Sequence, residues 1–103
     1  MITVSQRAAE QIKISARENQ SEGLCLRVAA RVTPDEGIDY GMGFDQEKDG
    51  DQKNTSEGID IIVGPASADL LHGTHIDFVE LEDGSSNFIF LNPNDPQFKP
   101  PKD

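Results

Sequence analysis

Two neighbouring stretches decide the fold class: Leu24-Cys25-Leu26-Arg27-Val28-Ala29-Ala30-Arg31-Val32 and Ile38-Asp39-Tyr40-Gly41-Met42-Gly43-Phe44. In both, apolar side chains recur at every second position, which is the period of a β-strand with one buried face. Residues 33–37 between them, Thr-Pro-Asp-Glu-Gly, have the composition of a turn. The two stretches therefore predict adjacent strands that each bury one face.

The other elements follow from the spacing of apolar residues and from the turn residues between them. In chain order they are a helix over residues 6–18, a polar acidic loop over 45–58, a central strand over 59–63, a short helix over 66–71, and two strands over 76–82 and 88–91 that form a hairpin. Ser5 can cap the first helix, because its hydroxyl can accept a hydrogen bond from a free amide of the first turn. The sequence thus predicts the α+β class, built on a mostly antiparallel, sandwich-like sheet with an N-terminal helix and a second short helix before the final hairpin.

The length of the chain allows one domain. It has 103 residues, of which 35% are hydrophobic, enough for a single modest core. Residues 1–92 are predicted to form that domain, and residues 93–103, with four prolines, are predicted to form a flexible tail. No run approaches the roughly 20 apolar residues of a membrane helix, and the N-terminus does not resemble a signal peptide. We therefore expect the protein in the cytoplasm.

The chain is acidic, with a formal net charge of -10 at pH 7, and residues 35–60 hold nine acids against two bases. A surface of this sign repels phosphate groups, so nucleic acid and anionic membrane surfaces are not expected as partners. The acidic segment is instead a predicted docking face for a basic protein surface. The alternative is a face that serves solubility alone. The predicted docking residues are Asp35, Glu36, Asp39, Asp45, Glu47, Asp49 and Asp51.

Residues 45–51 also resemble the start of an EF-hand calcium loop, because side-chain oxygens alternate along it and Gly50 is the sixth residue. The twelfth position should supply a bidentate glutamate, but it is Ser56, and Glu57 lies one residue too far. The flanking stretches are predicted strands, whereas an EF-hand requires helices. A solvated loop is the interpretation that agrees with both observations.

Two histidines are further candidate metal ligands. His72 and His75 lie on either side of Gly73, a predicted helix end, so their rings are expected to point in different directions. Together with Asp69 or Asp77 they leave a mononuclear metal site open as an alternative to ordinary surface histidines.

Cys25 is the sole cysteine, so the chain forms no internal disulfide. A lone cysteine in a predicted strand is typical of a small buried hydrophobe. Arg27 and Arg31 share its strand face, and they would lower the pKa of the thiol if they lay close to it. No nucleophile motif and no phosphate-binding glycine loop accompanies it, so the sequence predicts a protein that is not an enzyme.

Several phrases, in order along nearly the whole chain, resemble the HesB/IscA-like domain of the A-type iron-sulfur carrier family. They are Ile2-Thr3-Val4-Ser5, Leu26-Arg27-Val28, Gly37-Ile38-Asp39-Tyr40-Gly41-Met42, Gly58-Ile59, Leu71-His72-Gly73-Thr74, Ile76-Asp77-Phe78-Val79 and Phe88-Ile89-Phe90-Leu91-Asn92-Pro93-Asn94. The resemblance implies the HesB-like fold, and a role beside other proteins in the assembly or transfer of iron-sulfur clusters.

The chemistry of that family depends on three cysteines, one in a Cys-Ser-Gly turn and two in a C-terminal Cys-Gly-Cys. By this resemblance, the matching positions are Asp35, Lys99 and Pro101. Iron-sulfur clusters are held by thiolates, and none of these three side chains offers one. Cys25 lies ten residues before the first position and inside a predicted strand. The chain therefore resembles a family member that lacks the cluster cysteines, and neither a metal nor another cofactor is expected.

Two functions agree with this pattern. The first is a non-enzymatic protein that keeps the family fold and acts through contacts with an iron-sulfur or sulfur-transfer protein, in an iron-sulfur or sulfur-oxidation pathway. The second is an iron or iron-sulfur assembly or carrier protein that uses other ligands, drawn from carboxylates, His72, His75 and Cys25. If clusters help to hold family assemblies together, a chain without their ligands is expected to be a monomer.

Overall fold

The computed structural model describes residues 1–35 and 37–95. This part of the chain forms seven strands and two helices. Their bounds are β1 (Thr3–Val4), α1 (Gln6–Glu18), β2 (Cys25–Val32), β3 (Ile38–Asp45), β4 (Gln52–Ser56), β5 (Ile59–Val63), α2 (Pro65–Leu71), β6 (His75–Glu80) and β7 (Ser86–Leu91). None of the described helices is long and apolar enough to cross a membrane.

The strands form two sheets. One has the order β1-β6-β7 and the other the order β3-β2-β5-β4. β2 pairs antiparallel with β3 along its whole length, as the alternating stretches predicted. β4–β5 and β6–β7 are also antiparallel, whereas β1–β6 and β2–β5 are parallel. The predicted α+β sandwich is confirmed, and β5 occupies the predicted central position between β2 and β4.

The first helix has the predicted limits. Its N-cap is Ser5, whose hydroxyl accepts a hydrogen bond from the backbone amide of Ala8. The helix buries small side chains, which bring it close to the sheets, and packs on β5 and β6. The buried apolar cluster beneath it consists of Ile2, Val4, Ala8, Ala9, Ile12, Leu26, Val28, Ile59, Ile61, Val63, Leu71 and Ile76. Removal of this surface from water is the main source of stability of the fold.

Polar side chains join the two sheets on one side. Asn54 of β4 donates from its amide to the Ile2 carbonyl at 2.7 Å, and its oxygen accepts from the Ile2 amide at 3.3 Å. Ser56 accepts from the amide of Val4 at 3.1 Å. These side chains satisfy β1 backbone groups that face the neighbouring sheet, so β1 is held by hydrogen bonds on both of its edges.

Aromatic side chains join the sheets on the other side. Tyr40 of β3 stacks on Phe90 of β7, with ring centroids 4.6 Å apart and planes 2° from parallel. Phe78 and Phe88 form a second, tilted pair across β6 and β7 at 4.8 Å. The two edge strands β3 and β7 are therefore held together by ring packing.

Two strands were not predicted from the sequence. The predicted loop over 45–58 contains β4, an exposed polar edge strand, and hydrophobic alternation cannot identify a strand that has no apolar face. β4 turns into β5 through Glu57 and Gly58, which both have positive φ, 51° and 77°. This is the pattern of a two-residue hairpin with a primed turn. β1 has two residues, too few for any periodicity.

The predicted inward face of β2 is buried along part of its length. Leu26 and Val28 lie in the core, but Leu24 precedes the strand and Val32 is 60% exposed. Near the end of β2, the hydroxyl of Ser67 on α2 accepts from the Ala30 amide and donates to the Ala30 carbonyl, both at 3.1 Å. A helix side chain thus replaces a neighbouring strand once β5 has turned away from β2.

The start of the predicted tail is bound to the domain. Asn92 is fully buried and donates to the carbonyl of Leu70 at 2.7 Å, while Asn94 donates to the carbonyl of His72 at 2.8 Å. The rest of the predicted tail, residues 96–103, lies outside the described residues. Its flexibility therefore stays a prediction.

Candidate functional site

Asp35, which the family resemblance places at the first cysteine position, lies in the exposed loop between β2 and β3. The hydroxyl of Thr33 donates to its carboxylate, and the amide of Thr33 donates to the carbonyl of Gly37 at 2.9 Å. The bond from Thr33 holds the pKa of Asp35 below its ordinary value, so the carboxylate is charged at neutral pH. The position presents a hard oxygen anion where the family pattern has a soft sulfur.

Cys25 cannot take the place of that thiol within one chain. It is half-buried at the first residue of β2 and faces Asp45 of β3 in the strand register. Asp35 comes after the opposite end of the same strand. Seven residue steps along a strand measure about 23 Å, which is far beyond the reach of a shared metal centre. Lys99 and Pro101 lie outside the described residues.

The two histidines have separate partners. His72 caps the end of α2, and its Nδ1 lies 3.4 Å from the α-amino group of Met1. His75 begins β6, and its Nδ1 lies 2.8 Å from the hydroxyl of Thr3 on β1. Each ring thus has its own partner near the N-terminus. Within residues 1–35 and 37–95, no three His, Cys, Asp or Glu side chains are grouped closely enough to hold a metal ion.

Arg27 organises the acidic loop that follows β3. Its Nε donates to Asp45 at 2.6 Å, and its Nη1 and Nη2 donate to the two oxygens of Asp51 at 3.0 and 2.6 Å. Nη2 also donates to the carbonyl of Gln46, and the amide of Lys48 donates to Asp51 at 2.7 Å. A two-pronged arginine–carboxylate contact of this kind fixes direction as well as charge. The loop is thereby folded back over the outer face of β2.

Asp51 is buried beside Arg27 and stays charged. The side chain of Asp51 is 4% exposed and that of Arg27 is 23% exposed. The hydrogen bonds from Arg27 lower the pKa of Asp51 to about 2, with a further contribution from the Lys48 amide. Arg27 also lowers the pKa of Asp45, and the two carboxylates raise the pKa of Arg27 in return. All three groups therefore stay charged at neutral pH.

One buried residue lies outside the main core. Ile62 of β5 is fully buried, although it is not part of the apolar cluster. Its register neighbours on the two adjacent strands are Arg27 and Lys53. Arg27, which holds the loop, is therefore also a cross-strand neighbour of Ile62.

This arrangement changes the interpretation of residues 45–51. The carboxylates of Asp45 and Asp51 converge on a guanidinium, so an internal cation occupies the place that the calcium alternative gave to a metal ion. Asp51 is too buried to meet a partner protein. Glu47 pairs with Lys53 at 3.5 Å and stays 47% exposed. Asp49 is exposed.

Asp39 is the remaining described residue of the predicted docking face. It pairs with Arg31 across β2 and β3 at 3.4 Å, and both side chains are more than half exposed. Glu36 lies outside the described residues. The docking face stays a prediction, and the residues free to serve it are Asp35, Asp39, Glu47 and Asp49.

Tyr40 binds the last of the described residues, Asp95. Its hydroxyl donates to the carboxylate of Asp95 at 2.7 Å, across 55 positions of sequence. Burial first, and then the bond to Asp95, raise the pKa of Tyr40 to about 12. The C-terminal segment therefore starts beside β3, the strand that Asp35 precedes.

The titration of Tyr40 can be read directly, because it is the only tyrosine and the chain has no tryptophan. We expect the near-ultraviolet phenolate band of the folded protein to appear with a midpoint near pH 12. Unfolding in denaturant should return the midpoint to about 10. Because the pKa is raised in the folded state, protonated Tyr40 contributes to the unfolding free energy. This contribution is complete below about pH 10 and is lost as the pH rises towards 12.

Two variants separate the causes of this shift. Asp95→Asn removes the charged acceptor and should move the Tyr40 midpoint down, while burial keeps it above the denatured value. Asp83→Asn removes an exposed acid of the β6–β7 turn and should leave the midpoint unchanged. A native midpoint at the denatured value would contradict the observed packing of Tyr40.

Residues 1–95 match the model of a protein family described as iron-sulphur cluster biosynthesis. The chain belongs to this family. The protein SufA of Bacillus subtilis (strain 168) is 35% identical over 94 residues, which cover 90% of this chain and 78% of SufA. The iron-sulfur cluster insertion protein ErpA of Yersinia pestis (strain Pestoides F) is 35% identical over 88 residues, which cover 84% of this chain and 76% of ErpA.

Solved structures confirm the family fold. A crystal structure of IscA with a 2Fe-2S cluster superposes with a TM-score of 0.81 at 24% identity, covering 94% of this chain and 89% of IscA. A solution structure of a protein from Aquifex aeolicus has a TM-score of 0.64 at 32% identity, covering 87% of this chain and 89% of that protein. The family description is iron-sulphur cluster biosynthesis, and the relative ErpA is named as an iron-sulfur cluster insertion protein.

Sequence reasoning missed the role of Arg27 as the centre of the loop. One signal was available, since Arg27 stands between small residues on a strand face and two aspartates follow it 18 and 24 positions later. The contact between Tyr40 and Asp95 had no signal of this kind. It depends on the stacking of Tyr40 on Phe90, which the sequence pattern does not specify.

Proposed function

We propose that this chain is a non-enzymatic IscA-like protein that keeps the family fold, has lost the family cluster site, and acts through contacts with other proteins. The observation that carries the proposal is the replacement of the ligands. By the family resemblance, Asp35 stands at the position of the first family cysteine, while the sole thiol, Cys25, lies at the far end of β2.

The donor set does not fit an iron-sulfur cluster. Clusters are held by several thiolates, whose sulfur shares the charge of the iron, and the chain contains one cysteine. Asp35 offers an oxygen that already accepts from Thr33, Lys99 offers a cation, and Pro101 offers no side-chain donor. A cluster is the cargo of the family, and this chain lacks the groups with which the family pattern would hold it.

The partner in this proposal is a protein that belongs to an iron-sulfur or sulfur-transfer pathway. As a family member that lacks the cluster cysteines, this chain resembles DsrR, an IscA-like protein found with sulfur-oxidation genes. This resemblance supports a role in a sulfur-oxidation pathway. The partner surface would be basic, because the exposed residues Asp35, Asp39, Glu47 and Asp49 share one sign. The proposal includes a monomer in the cytoplasm that binds neither nucleic acid nor membrane.

Anaerobic reconstitution tests the loss of the cluster site. After incubation with ferrous iron and sulfide and then desalting, we expect the wild-type protein to be colourless and to retain far less than one iron per chain. Visible absorbance and iron analysis give the readout. The matched variant Cys25→Ser should behave in the same way, because Cys25 belongs to no group of potential metal ligands among residues 1–35 and 37–95.

A stoichiometric chromophore that survives desalting would overturn the proposal and support the alternative of a carrier with other ligands. If Cys25→Ser then lost the colour, Cys25 would be one of those ligands, with the others supplied by a second chain. The described residues do not favour this alternative, since His72, His75 and Cys25 lie at separate places with separate neighbours.

A further inference from the structure

The cations of the described residues are distributed in an uneven way. Seven lysines and arginines lie within residues 1–35 and 37–95. Five of them pair with carboxylates, namely Arg7, Arg27, Arg31, Lys48 and Lys53. The other two, Lys13 and Arg17, make neither an ion pair nor a side-chain hydrogen bond with another described residue. These two cations are thus available to a ligand, although the chain has a net charge of -10.

Lys13 and Arg17 border the same cleft. They are four residues apart on α1, so their side chains project from one side of the helix. The cleft lies between α1 and the four-stranded sheet and has a volume of about 440 Å³, within the range of small-molecule sites. The ammonium group of Lys13 stands over the β4–β5 turn, where a Cβ built on Gly58 would lie 3.3 Å from it.

The floor of the cleft is apolar. Ile12, Leu26 and Ile59 line it with side chains that are 3%, 3% and 8% exposed. Leu24 extends this surface to the rim and is 36% exposed, although it is a large apolar side chain. The cleft therefore combines an apolar floor with two cations at its border.

Two acids also line the cleft, and they limit what can bind. Asp60 accepts from the hydroxyl of Thr55 at 2.7 Å, whereas Glu22 makes no hydrogen bond or ion pair with another described residue. The cleft is locally neutral, while the rest of the chain is strongly negative. A ligand with one negative charge can approach Lys13 and Arg17, and a highly charged anion would be repelled by the acids and by the chain as a whole.

We propose that this cleft is a binding site for a small amphipathic carboxylate. The carboxylate head would accept hydrogen bonds from Lys13 and Arg17, and its aliphatic body would lie on Ile12, Leu26 and Ile59. Charge-assisted hydrogen bonds give such a head its orientation, and contact with the apolar part of the lining removes some of the aliphatic body from water. The site is separate from the position of Asp35 and does not depend on the fate of the cluster ligands.

Octanoate is the probe that tests this site, used below its critical micelle concentration and followed by amide chemical shifts of the full chain. We expect saturable binding, with the largest shifts at Lys13, Arg17, Leu24 and Gly58. Lys13→Met and Arg17→Met keep most of the side-chain length but remove the charge. Each should weaken octanoate binding about tenfold, the size of one charge-assisted hydrogen bond.

Two controls distinguish binding of octanoate in the cleft from a general electrostatic attraction to the protein. Arg31→Met makes the same change in net charge at an exposed residue outside the cleft and should leave the affinity unchanged. Octanol has the same body without a charge, and its binding should respond little to Lys13→Met. The proposal is overturned if octanoate binding does not saturate, if the shifts lie elsewhere, or if Arg31→Met weakens binding as much as Arg17→Met does.

Discussion

Replacement of Arg27 by methionine should destabilise the protein at neutral pH, and the loss should become smaller as the pH falls. The substitution leaves Asp51, whose side chain is 4% exposed, as a charged carboxylate without its partner. A buried carboxylate in this state is unfavourable until it takes up a proton. The difference in unfolding free energy between wild type and Arg27→Met should therefore narrow between about pH 5 and pH 2.

The sign of this effect follows from the pKa of Asp51. In the wild type it is lowered from 3.8 to about 2, so the ion pair contributes fully above pH 5 and is lost as the pH falls through the folded pKa. Urea denaturation over a pH series measures the effect. Arg27→Met/Asp51→Asn has no charge at either position. Its unfolding free energy should therefore depend less on pH than the unfolding free energy of wild type does.

Arg31→Met is the matched control for this prediction, because Arg31 pairs with Asp39 where their side chains are 82% and 59% exposed. Exposed pairs contribute little to stability, so this variant should stay close to wild type at every pH. A stability difference for Arg27→Met that stays constant or widens on acidification would contradict the role assigned to the cluster. Such a result would assign the contribution of Arg27 to packing alone.

Restoration of the three family cysteines should turn the protein into one that holds a cluster. The variant is Asp35→Cys/Lys99→Cys/Pro101→Cys, which places thiols at the positions that the family resemblance identifies. One hydrogen bond supports the choice of these positions. Tyr40 of β3 binds Asp95, so residue 95 lies beside the strand that follows Asp35. After anaerobic reconstitution and desalting, we expect a visible chromophore with stoichiometric iron and sulfide, where the wild type has neither.

The serine variant Asp35→Ser/Lys99→Ser/Pro101→Ser separates thiol chemistry from the loss of charge and of proline, and should remain colourless. Cys25→Ser in the cysteine-restored background should keep the chromophore, because Cys25 lies at the other end of β2. A folded cysteine-restored protein that stays colourless would show that more than the ligands has been lost. Far-ultraviolet circular dichroism checks that each variant is folded.

Much of the fold could be predicted because its signals are local. The limits of α1 follow from the Ser5 cap and the good helix formers after it, and β5 follows from a short apolar run. β4 could not be predicted in this way, because its residues are polar on both faces and its pairing is decided by β5. The roles given to Asp35 and Cys25 stay predictions, because they rest on position in the sequence alone.

The sequence by itself determined the fold class, the family and the presence of a single thiol, since periodicity, motif order and residue identity are properties of the chain. The tertiary structure alone decided which charges are free. Asp51 and Asp49 look equivalent in the sequence, yet Arg27 holds the first in a buried contact and leaves the second exposed. In the same way, Lys13 and Arg17 differ from the other described cations only in having no carboxylate partner. The physical reason is that ionic contacts depend on distance in space, and the packing of strands and loops sets that distance.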